Sequence, residues 1–401
     1  MDLNKKFQNI VLLVGFAILS VPLWLKVDAL PLQIWDEARN AVNAIEMYYS
    51  GEFITRTFHN TPETYSLKPP FLTWLQVASM KIVGVNELAI RLPSVIATIC
   101  SMLLVFCIVL KMTESKLFGF LASAITVTSL GFYGSHVGRF GDHDALLLLF
   151  VTLLVYATYL FSITFQNRYI YLISISLLLG VFVKSISILV FVPAILAYLV
   201  YDRKLLGLIK NKHTYISLLL FIVPILLYYM TRESLQPGYL DYVWNDELFP
   251  RFNNTSKNLK FDDLSFLYYF KLLASTQMSY WIWGVLFVIA VPILLRPVKK
   301  EWVLLTLCSV FFLFVISNGT KNFWYSAPVI PVLSCLISYS LFSITKRLSI
   351  PNTLTFSLVL LSVVYPYKEA YAYAMNPFDH IDNWESNGIS PYVRDESKLK
   401  N

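Results

Sequence analysis

The chain has 401 residues, of which 57% are hydrophobic and 14% charged, and its mean hydropathy is +0.60. Soluble domains carry about 25% charged residues, so a soluble enzyme is excluded and an all-α polytopic membrane protein is expected. The formal net charge of +7 does not argue for a nucleic-acid partner, because the lysines and arginines cluster in short segments between apolar runs, as the positive-inside rule expects of cytoplasmic connectors.

Lys5 and Lys6 precede the first apolar run, near 9–25. The run has no small-x-small cleavage site and reads as a retained span, not a signal peptide. An outer loop, 26–91, follows and contains Trp35-Asp36-Glu37-Ala38-Arg39-Asn40. On a helix Asp36, Arg39, Asn40 and Asn43 share one face, which offers a base and a cation for an anionic leaving group. The apolar stretch 71–84 is about 14 residues, too short to span, and reads as an interfacial helix. Counting it as a span turns most basic connectors outward. Leaving it out gives about eleven spans, near 9–25, 92–110, 117–134, 145–165, 169–183, 187–201, 214–230, 281–295, 302–317, 323–344 and 352–367.

The connectors 111–116, 167–168, 203–212, 296–300 and 346–347 are then cytoplasmic, and the unusual polar residues collect at the opposite face. They include loop 231–280, long enough for a lid, where Asp246, Glu247 and Arg251 are candidate acceptor contacts. The membrane domain is expected over 1–367, followed by a polar tail, 368–401. Cys100, Cys107, Cys308 and Cys335 lie inside expected spans with no CxxC pair, and read as packing residues.

Arg139-Phe-Gly-Asp142-His143-Asp144 sits between the third and fourth spans. Charges that enter a span are costly, and are functional or paired. The functional reading is a second acid, or a metal site made by Asp142, His143 and Asp144, facing Asp36. The plainer reading is a solvated turn with Asp144 capping the next helix. Oxygen-rich ligands suit magnesium or manganese, and a lone histidine does not establish zinc. Lys68 precedes Pro69-Pro70, Lys184 lies within an apolar run and Lys321 precedes Tyr325. Each lysine either snorkels to headgroups or joins Arg39 in binding a phosphate. Glu87 and Arg91, four apart, most simply form a structural pair at the membrane surface.

In this order these segments resemble the GT-C superfamily of polyprenyl-phosphate-sugar glycosyltransferases, above all the protein O-mannosyltransferases and the lipid A aminoarabinose transferases. The residues that carry the resemblance are Asp36-Glu37-x-Arg39, Tyr65-x-x-Lys68-Pro-Pro-x-x-x-Trp74, Glu87-x-x-x-Arg91-Leu-Pro93, Gly138-Arg139 through Asp144, Phe182-Val-Lys184, and Lys321-x-x-x-Tyr325-x-x-Pro328-x-x-Pro331. The resemblance implies a GT-C-like bundle and a non-cytoplasmic active site. It places Asp36, Glu37 and Asp144 at the catalytic centre, and Tyr65 and Lys68 on the donor's lipid phosphate, with Arg39 nearby. Leu67 stands where the aminoarabinose enzymes carry a glutamate, and loop 231–280 lacks their histidine.

The expected reaction is an inverting transfer from a polyprenyl-phosphate sugar to a lipid, glycan or protein acceptor. Asp36, or alternatively Asp144, is the base, and Arg39, Lys68 and Lys321 stabilise the leaving phosphate. No cofactor is demanded, and a divalent magnesium, manganese or zinc ion fits. A bacterial inner membrane, with the site facing the periplasm, is the expected location. The rival readings are a transporter or lipid-linked sugar flippase, which predicts internal symmetry and broken helices at the midplane, and an inactive scaffold of the same fold.

Overall fold

Apolar runs satisfy their backbone polar groups in a bilayer only by coiling, so the long hydrophobic segments form helices. The computed structural model describes residues 2–248, 267–319 and 321–380. All the expected spans are helical over most of their length. By length and composition seven described helices can cross a membrane, or eight if Tyr268–Gln277 and Ser279–Leu294, bent by 93°, form one span.

The longest of the seven, Asn167–Tyr201, has 35 residues and corresponds to two expected spans. Its chain reverses after Lys184, where Ser185 has φ 49° and Gly180 packs on Ile188. On a continuous helix those two residues lie about 12 Å apart along the axis. The returning arm ends with Lys204 over the Phe165 ring, 5.4 Å away, at the far end of the Asp144–Thr164 helix. Lys116–Val127, with 12 residues, and Asn352–Met375 are helical too. The last helix runs to Met375 rather than ending at 367, and Lys26 Nζ donates to the Met375 carbonyl at 3.0 Å.

The segment between the first helix and Glu87 folds onto the start of the Glu87–Thr113 helix. Its own first helix, Asp36–Ser50, ends at Gly51, whose φ of 70° is the left-handed turn that glycine accepts most readily. A short hairpin pairs Thr57–Phe58 with Thr61–Pro62, and the Phe71–Val83 helix, 13 residues long, follows.

Two buried arginines hold this assembly. Arg91 does not chiefly pair with Glu87 at the surface. It is 1% exposed and grips Glu37 through Nε and Nη2 at 2.7 and 2.8 Å, while also donating to the carbonyls of Val27, Leu30 and Pro31. Glu37 accepts in addition the N–H groups of Gln33 at 2.8 Å and Gly141 at 2.7 Å. Arg139 donates to the carbonyls of Pro22, Leu25 and Lys26, tying the 134–143 connector to the end of the first helix. Gly141 is needed for close approach, since a Cβ there runs into Ile90.

Candidate active site

The Asp36–Ser50 helix presents Asp36 to a cavity of about 610 Å³, which Lys68, Asp142, Asp144, Lys184 and Tyr325 also line. The face expected to be shared by four residues divides into two. Asp36 and Asn40 look toward the 134–143 connector, where Asn40 Nδ2 lies 3.3 Å from the Gly141 carbonyl and 3.5 Å from Asp142 Oδ1. Arg39 and Asn43 turn to Glu63.

Asp142 is the hub of the connector. His136 Nδ1 lies 3.1 Å from one of its oxygens, and His143 Nδ1 lies 3.0 Å from the other. Burial alone raises the Asp142 carboxyl, but the hydrogen bonds with His136 and then His143 hold it well below the usual carboxylate range. His143 is pushed down to about 3, first by burial and then by the positive charge of Lys68. A neutral ring that donates from Nδ1 leaves Nε2 as an acceptor, and Nε2 is buried without a partner. His136 moves the other way. Against the burial that lowers it, its hydrogen bond with Asp142 and the charges of Asp142 and Asp36 raise its pKa.

The expected metal set of Asp142, His143 and Asp144 is therefore not the one assembled. Asp36, His136 and Asp142 each offer a ligand atom, and the three atoms lie within 4.8 Å of one another. Asp144 is held instead by Lys184, at 2.6 and 2.7 Å, and both side chains are buried. Nor does Asp144 cap its helix, for His143 occupies that position and Asp144 is the first helical residue. Lys184 also lies 5.0 Å above the Tyr325 ring, so this lysine is paired within the protein and does not snorkel.

Other expected residues separate clearly. Glu37 and Arg139 face the protein interior in the two staples described above. Arg39 Nη1 donates to both carboxylate oxygens of Glu63, at 2.8 and 2.9 Å, and the guanidinium lies 4.2 Å from the Phe58 ring and 4.5 Å from the Tyr65 ring. Its charge is thus spent on shaping the 57–66 segment. Lys321 is buried with its ammonium 5.5 Å over Tyr268, while its neighbours Asn322, Trp324 and Tyr325 line the cavity. Tyr65 and Glu247 also line it. Arg251 lies outside the described residues.

Sequence reasoning missed His136, Trp324 and Glu63. The His136 and Trp324 rings stack with centroids 3.8 Å apart, which joins the 134–143 connector to the segment before the Ile330–Arg347 helix. The available signal for His136 was its position six residues before Asp142 in the same connector.

Glu63 accepts the N–H groups of Tyr65 at 2.8 Å and Ser66 at 3.3 Å. Burial opposes its ionisation, but these bonds and the Arg39 charge hold its carboxyl below the ordinary value. The stabilisation it provides is complete above that ordinary value, and is lost as pH falls through the lowered one. Glu63→Gln is expected to speed hydrogen exchange at Tyr65 and Ser66 by about tenfold or more at neutral pH. Unchanged exchange contradicts this role.

With the geometry in hand, the likenesses to other proteins are informative. A family model described as dolichyl-phosphate-mannose-protein mannosyltransferase matches residues 67–229. An undecaprenyl phosphate-alpha-4-amino-4-deoxy-L-arabinose arabinosyl transferase of Aeromonas hydrophila is 29% identical over 191 residues, 46% of this chain and 34% of that protein. The chain thus spans about a third of the length of this curated relative.

The fold is that of ArnT from Cupriavidus metallidurans, solved bound to undecaprenyl phosphate. The TM-score is 0.68 and the identity 16%, over 97% of this chain and 74% of that one. The Archaeoglobus fulgidus oligosaccharyltransferase AglB, solved with an inhibitory peptide and a dolichol-phosphate, matches at TM-score 0.55 and 12% identity, over 93% of this chain and 56% of that one. The chain is an all-α polytopic membrane protein with a fold similar to that of ArnT.

Proposed function

We propose that the chain transfers a sugar from a polyprenyl phosphate to a hydroxyl of a cell-envelope acceptor (lipid A, a surface glycan or protein), with inversion at the anomeric carbon. One observation carries this reading. The polar cavity shares Asp144, Lys184 and Tyr325 with a neighbouring groove of about 230 Å³, lined also by Ile186, Val190, Phe312 and Ile316. A phosphate in the cavity with its isoprenoid chain in the groove matches that division of polar from apolar surface. The ArnT structure with bound undecaprenyl phosphate supports the donor class.

The acceptor hydroxyl gives its proton to Asp36 while its oxygen attacks the anomeric carbon. The bond from that carbon to the phosphate oxygen breaks, and polyprenyl phosphate leaves. Asp36 is preferred over Asp144 because it is part-exposed at the cavity, whereas Asp144 is fully engaged by Lys184. Phosphate is a good leaving group, so one carboxylate base suffices. Lys68 lines the cavity and makes no ion pair among the described residues, which leaves its charge for the departing phosphate. Asp142 and the two histidines set the position of the base.

Two carboxylates and an imidazole suit magnesium, manganese or zinc. Asp36, His136 and Asp142 would hold such an ion, which would supply Lewis acidity at the cavity. In the same reading the cavity faces the periplasm of a bacterial inner membrane, because the basic connectors gather at the other end of the bundle. The polar residues of the cavity gather at one end, which favours transfer over a transport route through the midplane.

Lys68→Met is expected to weaken undecaprenyl phosphate binding about 10- to 100-fold, the loss of one charge-assisted contact. Titration of the purified protein with the lipid measures this. A change below about threefold overturns the assignment of Lys68 to the phosphate.

A further inference from the structure

A second cavity, of about 460 Å³, lies at the opposite end of the bundle, between the helices Gly284–Leu294, Lys300–Ser317 and Ile330–Arg347. Its place follows from helix direction. Phe312 and Ile316 near the end of the second helix, and Pro328 just before the third, border the groove beside the active site. Trp302 and Lys346, at the other ends of these two helices, line the second cavity.

Four cations border it: Arg296, Lys299, Lys346 and Arg347. Among the described residues no aspartate or glutamate does. The nearby acids are engaged by protein groups, Glu301 in part by the hydroxyl of Tyr339, which lines the cavity. Asp202 pairs with Lys300 at 3.5 Å, and Glu301 accepts from the Tyr159 hydroxyl at 3.4 Å. Lys299 occupies the N-cap of an 18-residue helix and makes no side-chain capping bond there, so the positive end of that helix adds to the field. Trp302 lines the cavity, and its Nε1 has no hydrogen-bond partner. The rest of the wall is mainly apolar, with Val291, Leu294, Leu295 and Phe342, and its polar members are Tyr339 and Ser343. Cationic groups at a helix terminus above an apolar wall are what a phosphate attached to acyl chains requires.

We propose that this cavity binds the phosphate of an anionic membrane phospholipid, with Lys299 and Arg347 as its main cationic contacts and the apolar wall against the acyl chains. The site is remote from the sugar-transfer cavity and does not depend on the reading given to that cavity.

The test uses the full chain in detergent micelles, with phosphatidylglycerol, phosphatidylcholine and inorganic phosphate as probes. Native mass spectrometry counts retained lipid, and thermal unfolding reports stabilisation. Phosphatidylglycerol is expected to be retained and to raise the midpoint, whereas phosphatidylcholine and inorganic phosphate do neither. The double variant Lys299→Gln with Arg347→Gln is expected to weaken phosphatidylglycerol binding by about tenfold or more, while Lys299→Arg with Arg347→Lys binds like the wild type. Equal retention of the two lipids, displacement of phosphatidylglycerol by inorganic phosphate, or unchanged binding in the glutamine variant overturns the proposal. Should the glutamine variant fail to fold, comparison of the three probes on the wild type decides alone.

Discussion

Asp36→Asn is expected to lower sugar-transfer turnover by about 10²- to 10⁴-fold, the usual contribution of a positioned general base, while leaving the unfolding midpoint unchanged. The substitution keeps size and hydrogen-bonding shape and removes only the charge. The carboxylate is 36% exposed, and its nearest cationic group, His136 Nδ1, is 3.9 Å away, so no buried partner is stranded. Asp144→Asn makes the informative contrast. It leaves the Lys184 ammonium buried and uncompensated, which costs about 3–5 kcal/mol, so its loss of activity comes with a loss of stability. Unfolding and turnover measured together separate the two carboxylates. Near-normal turnover in Asp36→Asn removes the base from that position.

Arg91→Met is expected to destabilise the protein by about 3–5 kcal/mol, a large part of the ~5–15 kcal/mol that a typical fold commands. The guanidinium makes two bonds to Glu37 and three to backbone carbonyls of the segment after the first helix. Its loss leaves the Glu37 carboxylate buried with only the Gln33 and Gly141 amides as donors. Glu37→Met with Arg91→Met removes both charges and is expected to recover part of the stability. A thermal midpoint unchanged by Arg91→Met contradicts the account of this staple.

The helical architecture was legible because apolar runs of span length are a one-dimensional signal. Even the reversal after Lys184 was visible as two short runs separated by a lysine and serines. The site was legible as a set of positions but not as a set of roles. Asp36, Asp142, Asp144 and Lys68 do converge on one cavity. The adjacent acids Asp36 and Glu37 look equivalent in the chain, yet successive helical residues point about 100° apart. One therefore meets the cavity and the other meets Arg91.

Arg39 looked like a phosphate ligand because its partner, Glu63, is 24 residues away across a hairpin that local pattern does not register. The separation between Arg91 and Glu37 is larger still, at 54 residues, and it displaced the simpler pairing with Glu87. His136 and Trp324 are joined by tertiary stacking alone, and no spacing rule connects them.

The central claim is tested most directly by the stereochemistry of transfer. The purified chain is incubated with a polyprenyl-phosphate sugar of defined anomeric configuration and a cell-envelope acceptor fraction. Released polyprenyl phosphate is quantified, and the configuration of the new glycosidic bond is read by NMR. The account predicts one polyprenyl phosphate released per sugar transferred, with inversion at the anomeric carbon. Retention of configuration, or no release across a panel of donors that bind, contradicts it.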